Sequence, residues 1–274
     1  MIRVAITGAT GLVGSRIVEL LGDRFEFLPL GHDMLDITNK RQVDQVIGAT
    51  EFEYLLHLAA YTDVEGAETH QDRAYEINVR GTDHIYRAVT RRDRKLIYFS
   101  TDFVFDGTAP PYDEDSIPNP LGCYGRSKYE GEQIVHGTAM IVRISYPYRA
   151  AFPKKKDFVR RIRALLEQGS ELQLVTDSII TPTFIDDIAY ATEQVIRHFS
   201  PGIVHITGAQ SLSPYAAGKL IATKFDFDGA RITPITFEKF SALRAPRPRY
   251  SMMMSKLNIF YKMRTFEDGL KGFL

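Results

Sequence analysis

The sequence is poor in cysteine, since Cys123 is the single cysteine among 274 residues. One cysteine excludes an intramolecular disulfide and any metal site built from several cysteines, so no metal is expected. We expect Cys123 to be a small packed residue rather than a reactive thiol.

The sequence also lacks net charge and long apolar runs. Lys plus Arg number 34, and Asp plus Glu also number 34. Without a global field we expect no nucleic acid partner, and any polyanion has to be bound by a local basic cluster. No apolar run approaches the roughly 18 to 20 residues that span a membrane, and Met1 leads into a predicted strand rather than a signal peptide. We therefore expect a cytoplasmic protein with no membrane partner.

The sequence does have a glycine-rich turn at its start. The apolar run from Ile2 to Thr7 ends in Gly8, and Gly11 and Gly14 follow at intervals of three. Gly8 permits a tight turn, Gly11 lets the backbone approach a pyrophosphate, and Gly14 allows the next helix to pack closely. Glycine triplets also occur as plain turns, but the position between a strand and an amphipathic helix predicts a dinucleotide site.

Strands and helices alternate through the first half of the chain. After the first strand and helix, strands are predicted at 25–30, 54–58, 95–99 and 140–144, and helices at 39–49, 68–92 and 122–135. Such alternation predicts right-handed βαβ units and a doubly wound parallel sheet, the Rossmann-type α/β fold. Ligands then bind at the carboxyl ends of the strands.

The second half of the chain is less regular. Helices are predicted at 157–168, 186–199 and 213–225 and near 266, and strands at 172–175 and 203–206. We therefore expect an NAD(P)-binding Rossmann domain over residues 1–150, to which 184–206 returns. Residues 151–183 and 207–274 would form a small interleaved substrate-binding lobe.

Tyr124 and Lys128 lie four residues apart in a predicted helix, so their side chains share one face. A tyrosine has a pKa of about 10, and burial alone would raise it. An ammonium about 4 Å away is worth roughly 4 kcal/mol, which would bring the phenol pKa near 7 before the cost of burial is subtracted. Tyr215 and Lys219 have the same spacing. The first pair is favoured because it follows the strand-end hydroxyl of Thr101, and Tyr215 is expected only to dock its helix.

Several segments together resemble the extended short-chain dehydrogenase/reductases. They are Gly-Ala-Thr-Gly-Leu-Val-Gly at 8–14, Ala-Ala-Tyr-Thr at 59–62, Asn78, Ser-Thr-Asp-Phe-Val-Phe-Asp-Gly at 100–107, Tyr-Gly-Arg-Ser-Lys at 124–128 and Arg-Ile-Ser-Tyr-Pro-Tyr at 143–148. Within this superfamily the chain is most similar to the dTDP-4-dehydrorhamnose reductases. The similarity covers nearly the whole chain and includes 181–187, 202–207 and 245–248.

The resemblance implies a role for each matching residue. Thr101 would bond the substrate carbonyl, Tyr124 would donate the proton, and Lys128 would lower the tyrosine pKa and hold the cofactor ribose. The implied cofactor-binding residues are Gly8, Thr10, Gly11, Leu12, Val13, Gly14, Asp36, Ile37, Ala59, Ala60, Tyr61, Asn78, Ser100, Tyr124 and Lys128. The implied substrate-binding residues are Thr101, Asp102, Phe103, Tyr146 and Arg247.

The resemblance implies that NADPH or NADH reduces a nucleotide-linked 4-keto-deoxysugar in deoxysugar and surface-polysaccharide synthesis. Gly31 and His32 stand where an acidic residue would repel the 2′-phosphate of NADPH, so that cofactor is tolerated. Asp36 and Ile37 would face adenine, and a surface position is favoured for His32. Because the family includes dimers, a homodimer is also expected.

Alternatives stay open beside this interpretation. Related dehydratases carry a glutamate where Phe103 stands, which disfavours dehydration, whereas epimerisation is excluded by no single residue. A regulatory subunit resembling the β subunit of methionine adenosyltransferase would bind the dinucleotide without turnover. The family often has tryptophan at the position of Tyr146 and Asn-Ser after the arginine-proline segment, where this chain has Tyr250-Ser251. Arg247 is either a diphosphate ligand or a solvated arginine. For the three lysines at 154–156 a solvated loop is favoured.

Overall fold

The computed structural model describes residues 1–273, and within them ten strands are present. They are β1 (Arg3–Thr7), β2 (Glu26–Leu30), β3 (Tyr54–His57), β4 (Lys95–Thr101), β5 (Met140–Ile144), β6 (Pro147–Tyr148), β7 (Leu172–Val175), β8 (Thr183–Phe184), β9 (Gly202–Ile206) and β10 (Ile232–Ile235). Six of them form one parallel sheet in the order β2-β1-β3-β4-β5-β9. The predicted doubly wound α/β fold is confirmed.

Eleven α-helices connect the strands over the same residues. They are α1 (Gly14–Leu21), α2 (Lys40–Ala49), α3 (Val64–Thr69), α4 (Gln71–Tyr75), α5 (Thr82–Thr90), α6 (Cys123–Val135), α7 (Phe158–Glu167), α8 (Ile185–Arg197), α9 (Pro214–Lys224), α10 (Phe237–Ser241) and α11 (Phe266–Lys271). Among the helices of residues 1–273, none is both long and apolar enough to cross a membrane.

Apolar cores lie on both faces of the sheet. Helices α1 and α8 cover one face through buried residues such as Ile17 and Ile188. Helices α2, α5 and α6 cover the other face, with Ile47 and Ile85 among its buried residues. A third core lies under α7, α9 and α11 and contains Phe266. The division of the chain into a dinucleotide domain and a substrate lobe stays a prediction.

The strand order reverses between β1 and β3, because β2 lies on one side of β1 and all later strands lie on the other. The loops that leave β1 and β3 therefore diverge to opposite sides and leave a crevice at the carboxyl edge of the sheet. Crevices of this kind are where ligands bind in open α/β sheets.

The region after β3 differs from the single helix predicted over 68–92. Asp63 accepts a hydrogen bond from the N–H of Gly66 and starts α3 early, and the chain leaves the helix at His70. A π-helical segment, Glu76–Gly81, then joins α4 to α5. Apolar periodicity reports which face is buried, and it does not distinguish a regular helix from one widened by a π turn.

Candidate active site

The glycine turn places bare backbone along the crevice. Gly8 has a φ of +70°, and a Cβ there would lie 2.8 Å from the backbone nitrogen of Ala59. A Cβ on Gly14 would lie 2.4 Å from the carbonyl oxygen of Gly8, and one on Gly11 would lie 3.1 Å from it. Side chains therefore cannot be added without moving the loop, which fits the predicted close approach of a pyrophosphate.

A cleft of about 730 Å³ follows the carboxyl edge of the sheet. Most of the residues that the sequence assigned to the cofactor or to the substrate line it. They are Gly8, Thr10, Gly11, Leu12, Val13, Gly14, Ala59, Ala60, Ser100, Thr101, Asp102, Phe103, Tyr124, Lys128, Tyr146 and Arg247. Segments as far apart in sequence as Gly8 and Arg247 are thus brought to one cavity.

A smaller cleft of about 270 Å³ adjoins the first and shares Gly8, Thr10, Ala59 and Ala60 with it. Asp36 and Ile37 line this smaller cleft, as do His32, Thr38 and Arg73. Hydrogen bonds from Thr38 hold the pKa of Asp36 below its usual range, and the nearby charges of His32 and Arg73 act in the same direction. His32 and Arg73 therefore face this cleft together.

Asn78 and Tyr61 line neither cleft. The Asn78 amide is buried, accepts a hydrogen bond from the N–H of Tyr61 at 2.8 Å and donates to the Tyr61 carbonyl at 3.1 Å. The same amide donates to the Ser127 hydroxyl at 2.9 Å, and that hydroxyl donates to the Tyr124 carbonyl at 2.9 Å. Asn78 thus ties the loop after β3 to helix α6 from behind the cleft wall.

Thr101 ends β4, and Tyr124 and Lys128 occupy the first two turns of α6. The ammonium of Lys128 is almost completely buried, donates to the Phe99 carbonyl at 2.8 Å and lies 4.1 Å from the ring centre of Tyr98. Three predicted catalytic residues from two elements therefore share one cleft wall.

The lowered pKa expected for Tyr124 is absent in this arrangement. Burial raises the Tyr124 pKa to about 12, the Thr101 hydroxyl opposes the rise, and the charge of Asp102 adds to it. Burial also lowers the pKa of Lys128 to about 7, with Glu132 opposing. The expectation from spacing counts the charge of Lys128 before the cost of burying both groups. It also leaves out the hydrogen bond from the ammonium to a backbone carbonyl.

Asp102 is a buried carboxyl that lines the larger cleft next to Thr101. It accepts hydrogen bonds from Thr101 and from Ser145, both at 3.0 Å. Burial raises the Asp102 pKa to about 6, although the hydroxyls of Ser251, Ser145 and Thr101 oppose the rise. The carboxyl therefore gains or loses its proton close to neutral pH.

Tyr146 stands in the left-handed backbone region, with a φ of +40°. Its carbonyl accepts a hydrogen bond from the N–H of Thr183 at 3.2 Å, and its ring meets that of Phe158 edge to face. Burial raises the pKa of its phenol, the Asp102 charge adds to the rise, and Arg247 opposes it. A non-glycine residue with positive φ is uncommon and is held by such surroundings, frequently at functional sites.

Arg247 lines the larger cleft and forms an ion pair with Glu65 of α3. Glu65 also accepts a hydrogen bond from the N–H of Ala245 at 2.7 Å, which fixes the proline-rich segment against α3. Part of the Arg247 guanidinium is therefore already bonded to Glu65 within the chain. Sequence reasoning did not identify Glu65, because nothing local marks two residues 182 positions apart as partners.

The lysines at 154–156, for which a solvated loop was favoured, lie on the rim of the larger cleft. Their side chains are exposed, and the Lys155 ammonium donates to the Thr62 hydroxyl at 3.3 Å. Phe152 and Phe158 flank them along the cleft. Sequence reasoning missed these aromatic residues, and only their position beside a basic run could have marked them.

The cleft suits a dinucleotide on two observations of this structure. The glycine turn leaves a cradle that any Cβ would fill. The buried Ser100 hydroxyl lines the cleft and has no hydrogen-bond partner among residues 1–273. A buried polar group without a partner is unfavourable, so a ligand that bonds it would relieve the penalty. In the same described residues no group of His, Cys, Asp or Glu is arranged to hold a metal.

This fold and site define an NAD(P)-dependent reductase of the extended short-chain dehydrogenase/reductase class. A family model described as the RmlD substrate binding domain matches residues 2–274, and the chain belongs to this family. The resemblance inferred from the sequence motifs is confirmed.

Individual relatives agree with this assignment. The chain is 35% identical over 227 residues to the dTDP-4-dehydrorhamnose reductase of Aggregatibacter actinomycetemcomitans, which covers 78% of this chain and 76% of that protein. It is 29% identical over 259 residues to the dTDP-4-keto-6-deoxy-D-glucose reductase of Streptomyces niveus. That alignment covers 92% of this chain and 88% of the Streptomyces protein. The crystal structure of a Bacillus anthracis dTDP-4-dehydrorhamnose reductase in complex with NADP has a TM-score of 0.92 and 35% identity, and covers 100% of this chain and 99% of that one.

Proposed function

We propose that the protein reduces the C4 ketone of a dTDP-linked 4-keto-6-deoxysugar, with dTDP-4-dehydrorhamnose as the preferred substrate and NADPH or NADH as the reductant. The observation that carries the proposal is the meeting of Thr101, Tyr124 and Lys128 with the glycine turn in one cleft. Relatives named for two different dTDP-4-keto sugars support the substrate class.

The proposed roles follow from the surroundings of each side chain. The nicotinamide, when bound, supplies a hydride to the ketone carbon. Tyr124 transfers its phenolic proton to the developing alkoxide, and a pKa of about 12 keeps that proton in place at neutral pH. Thr101 rotates its hydroxyl from Asp102 towards the ketone oxygen. Lys128 holds the ribose, because this residue lines the cleft.

We propose that the substrate lies on the side of the cleft bounded by Asp102, Phe103 and Tyr146. Arg247 and the lysines at 154–156 would surround its diphosphate, since these cations border the cleft. An arginine fork matches phosphate oxygens, so Arg247 would exchange part of its contact with Glu65 for the substrate. The lobe formed by 151–183 and 207–274 would then supply the contacts to the diphosphate.

The test is loss of NADPH absorbance with purified protein. We expect dTDP-4-dehydrorhamnose to be reduced with at least about tenfold higher kcat/KM than dTDP-4-keto-6-deoxy-D-glucose, a difference of about 1.4 kcal/mol in transition-state binding. Preference for the second sugar would overturn the rhamnose assignment. Conversion of a sugar nucleotide without net cofactor oxidation would indicate an epimerase, and no turnover together with co-purification of a larger enzyme would indicate a regulatory subunit.

We further propose that NADPH is preferred, with its 2′-phosphate beside Arg73 and His32 in the smaller cleft. Both residues line that cleft, and among residues 1–273 the side chain of Arg73 pairs only with Glu76, across 3.3 Å at the surface. Arg73→Met should raise KM for NADPH about tenfold and leave KM for NADH within about twofold, because only NADPH carries the phosphate. Arg91, which lines neither cleft, provides the control variant Arg91→Met. Equal losses with both cofactors would contradict this placement.

A further inference from the structure

A buried histidine connects the ends of two central strands. His57 ends β3, and its Nδ1 lies 2.7 Å from the hydroxyl oxygen of Thr7, the last residue of β1. Its Nε2 lies 3.2 Å from the hydroxyl oxygen of Thr82, the first residue of α5. All three side chains are about 1% exposed, so water does not compete for these hydrogen bonds.

The direction of each hydrogen bond is fixed by groups that have a single role. The Thr82 hydroxyl donates to the Asn78 carbonyl at 2.7 Å, which leaves it able only to accept from His57. The Nε2 atom of His57 therefore carries the ring proton, and Nδ1 accepts from the Thr7 hydroxyl. The Thr7 oxygen in turn accepts the N–H of Ala59 at 3.3 Å. Burial lowers the pKa of His57 to about 3, in agreement with a neutral ring.

Each end of this chain of hydrogen bonds reaches a part of the proposed active site. At one end, Thr7 precedes the glycine turn, and Ala59 lines both clefts. At the other end, Asn78 holds the backbone of Tyr61 and, through Ser127, the carbonyl of Tyr124. The dinucleotide loops and the catalytic helix are thus linked by one continuous set of buried polar contacts.

We propose that His57 is a positioning residue whose single neutral tautomer sets the glycine turn and the Ala59 loop relative to the helix that carries Tyr124. The proposal rests on the proposed function, because it assigns the residue to dinucleotide binding and to proton transfer. His57 touches neither cleft, and it acts through Thr7 on one side and through Thr82 and Asn78 on the other.

Two substitutions separate the hydrogen bond made by Nδ1 from the one made by Nε2. In His57→Asn the amide oxygen can replace Nδ1 as acceptor for Thr7, but the bond to Thr82 is lost. In His57→Gln the amide nitrogen can replace Nε2 as donor to Thr82, but the Thr7 hydroxyl loses its acceptor. We expect His57→Gln to raise the NADPH dissociation constant about tenfold with nearly unchanged kcat at saturating cofactor. His57→Asn should keep that dissociation constant within about twofold and lower kcat about fivefold.

Isosteric threonine variants provide a second measurement with a matched control. Thr7→Val removes the hydroxyl that accepts from Ala59 and should also weaken NADPH binding about tenfold. Thr192 is equally buried and donates to the Ile188 carbonyl at 2.7 Å, the same contact four residues back that Thr82 makes, but it lies in α8. Thr192→Val should leave the dissociation constant unchanged.

Dissociation constants come from fluorescence titration of NADPH, which needs no sugar substrate, and thermal unfolding is recorded for each variant. Weaker binding by His57→Gln and Thr7→Val, together with wild-type binding by His57→Asn and Thr192→Val, would support the proposal. If all variants bind NADPH as wild type does, or if all weaken binding in proportion to lost stability, His57 is only structural and the proposal is wrong. Failure of the wild-type protein to bind NADPH or NADH would overturn the proposed function and this proposal together.

Discussion

Helices α6 and α9 carry the same pair, a tyrosine followed four residues later by a lysine, and the local contacts of the two lysines are alike. Lys128 donates to the Phe99 carbonyl at 2.8 Å and lies 4.1 Å from the Tyr98 ring centre. Lys219 donates to the Gly229 carbonyl at 2.6 Å and lies 5.1 Å from the Tyr215 ring centre. Sequence spacing and the kinds of contact that the two lysines make therefore do not distinguish the pairs.

The environment distinguishes them. Lys128 is almost fully buried and its pKa falls to about 7, and both Tyr124 and Lys128 border the large cleft. Tyr215 and Lys219 are half-buried against the core of the second half of the chain and line neither cleft. We therefore expect the chemical role of each pair to depend on where its helix lies relative to the carboxyl edge of the sheet.

The largest expected effect comes from removing one phenolic oxygen from each pair. Tyr124→Phe should lower kcat by about 10² to 10⁴ with little change in cofactor affinity, because general acid catalysis contributes in that range. Tyr215→Phe should leave kcat unchanged. The measurement is steady-state NADPH oxidation together with cofactor titration. Unimpaired reduction by Tyr124→Phe would contradict its assignment as the acid.

The two lysines provide the next comparison. Lys128→Met should lower turnover about 10²-fold and weaken NADPH binding, because the proposed ribose contact and a nearby positive charge are both lost. Lys219→Met makes the same substitution at a lysine outside the cleft, and this variant should retain wild-type kcat and KM. Equal kinetic losses in the two variants would show that position relative to the cleft does not decide the role.

Regular elements could be predicted from the sequence, because their signals are local. β5 and β7 match the predicted 140–144 and 172–175 residue for residue, and the side chains of Asn39 and Ser213 cap α2 and α9. The two-residue strands β6 and β8 were missed, since so short a segment has no periodicity.

That the candidate site residues meet at one edge of the sheet could also be predicted, because parallel strands bring their carboxyl ends together there. The pKa values and ion pairs of these residues could not be predicted. The pKa values of Tyr124 and Lys128 follow from burial among side chains remote in sequence, and the ion pair of Arg247 with Glu65 joins distant segments. The sequence marks His57 only as part of a predicted strand, because the threonines that bond it come from two other elements.

The surroundings of Tyr124 can be changed without touching α6. Asp102 has an ordinary pKa of 3.8 and a folded pKa of about 6, so the folded state binds its proton more tightly than the unfolded chain does. The carboxyl therefore favours folding below pH 3.8, and this contribution is lost as pH rises through 6. Asp102→Asn should raise the free energy of unfolding at pH 8 by up to about 3 kcal/mol, and by less at pH 5.

Chemical denaturation at pH 5 and pH 8 measures this difference, with Asp23→Asn as the control because its carboxyl is exposed. The same gain for both variants, or a gain that is independent of pH, would contradict the raised pKa of Asp102.

The smallest expected effect is on stability and lies in the second pair. Lys219→Met removes a charge-assisted hydrogen bond to the Gly229 carbonyl and a cation close to the Tyr215 ring, which together should lower the free energy of unfolding by about 1 to 2 kcal/mol. Lys224 is exposed on the same helix, so Lys224→Met should cost a few tenths of a kcal/mol. Urea denaturation at neutral pH measures the free energy of unfolding of both variants. A Lys219→Met protein as stable as Lys224→Met would mean that the ammonium of the second pair contributes neither to folding nor to chemistry, and the two pairs would then differ in more than their distance from the cleft.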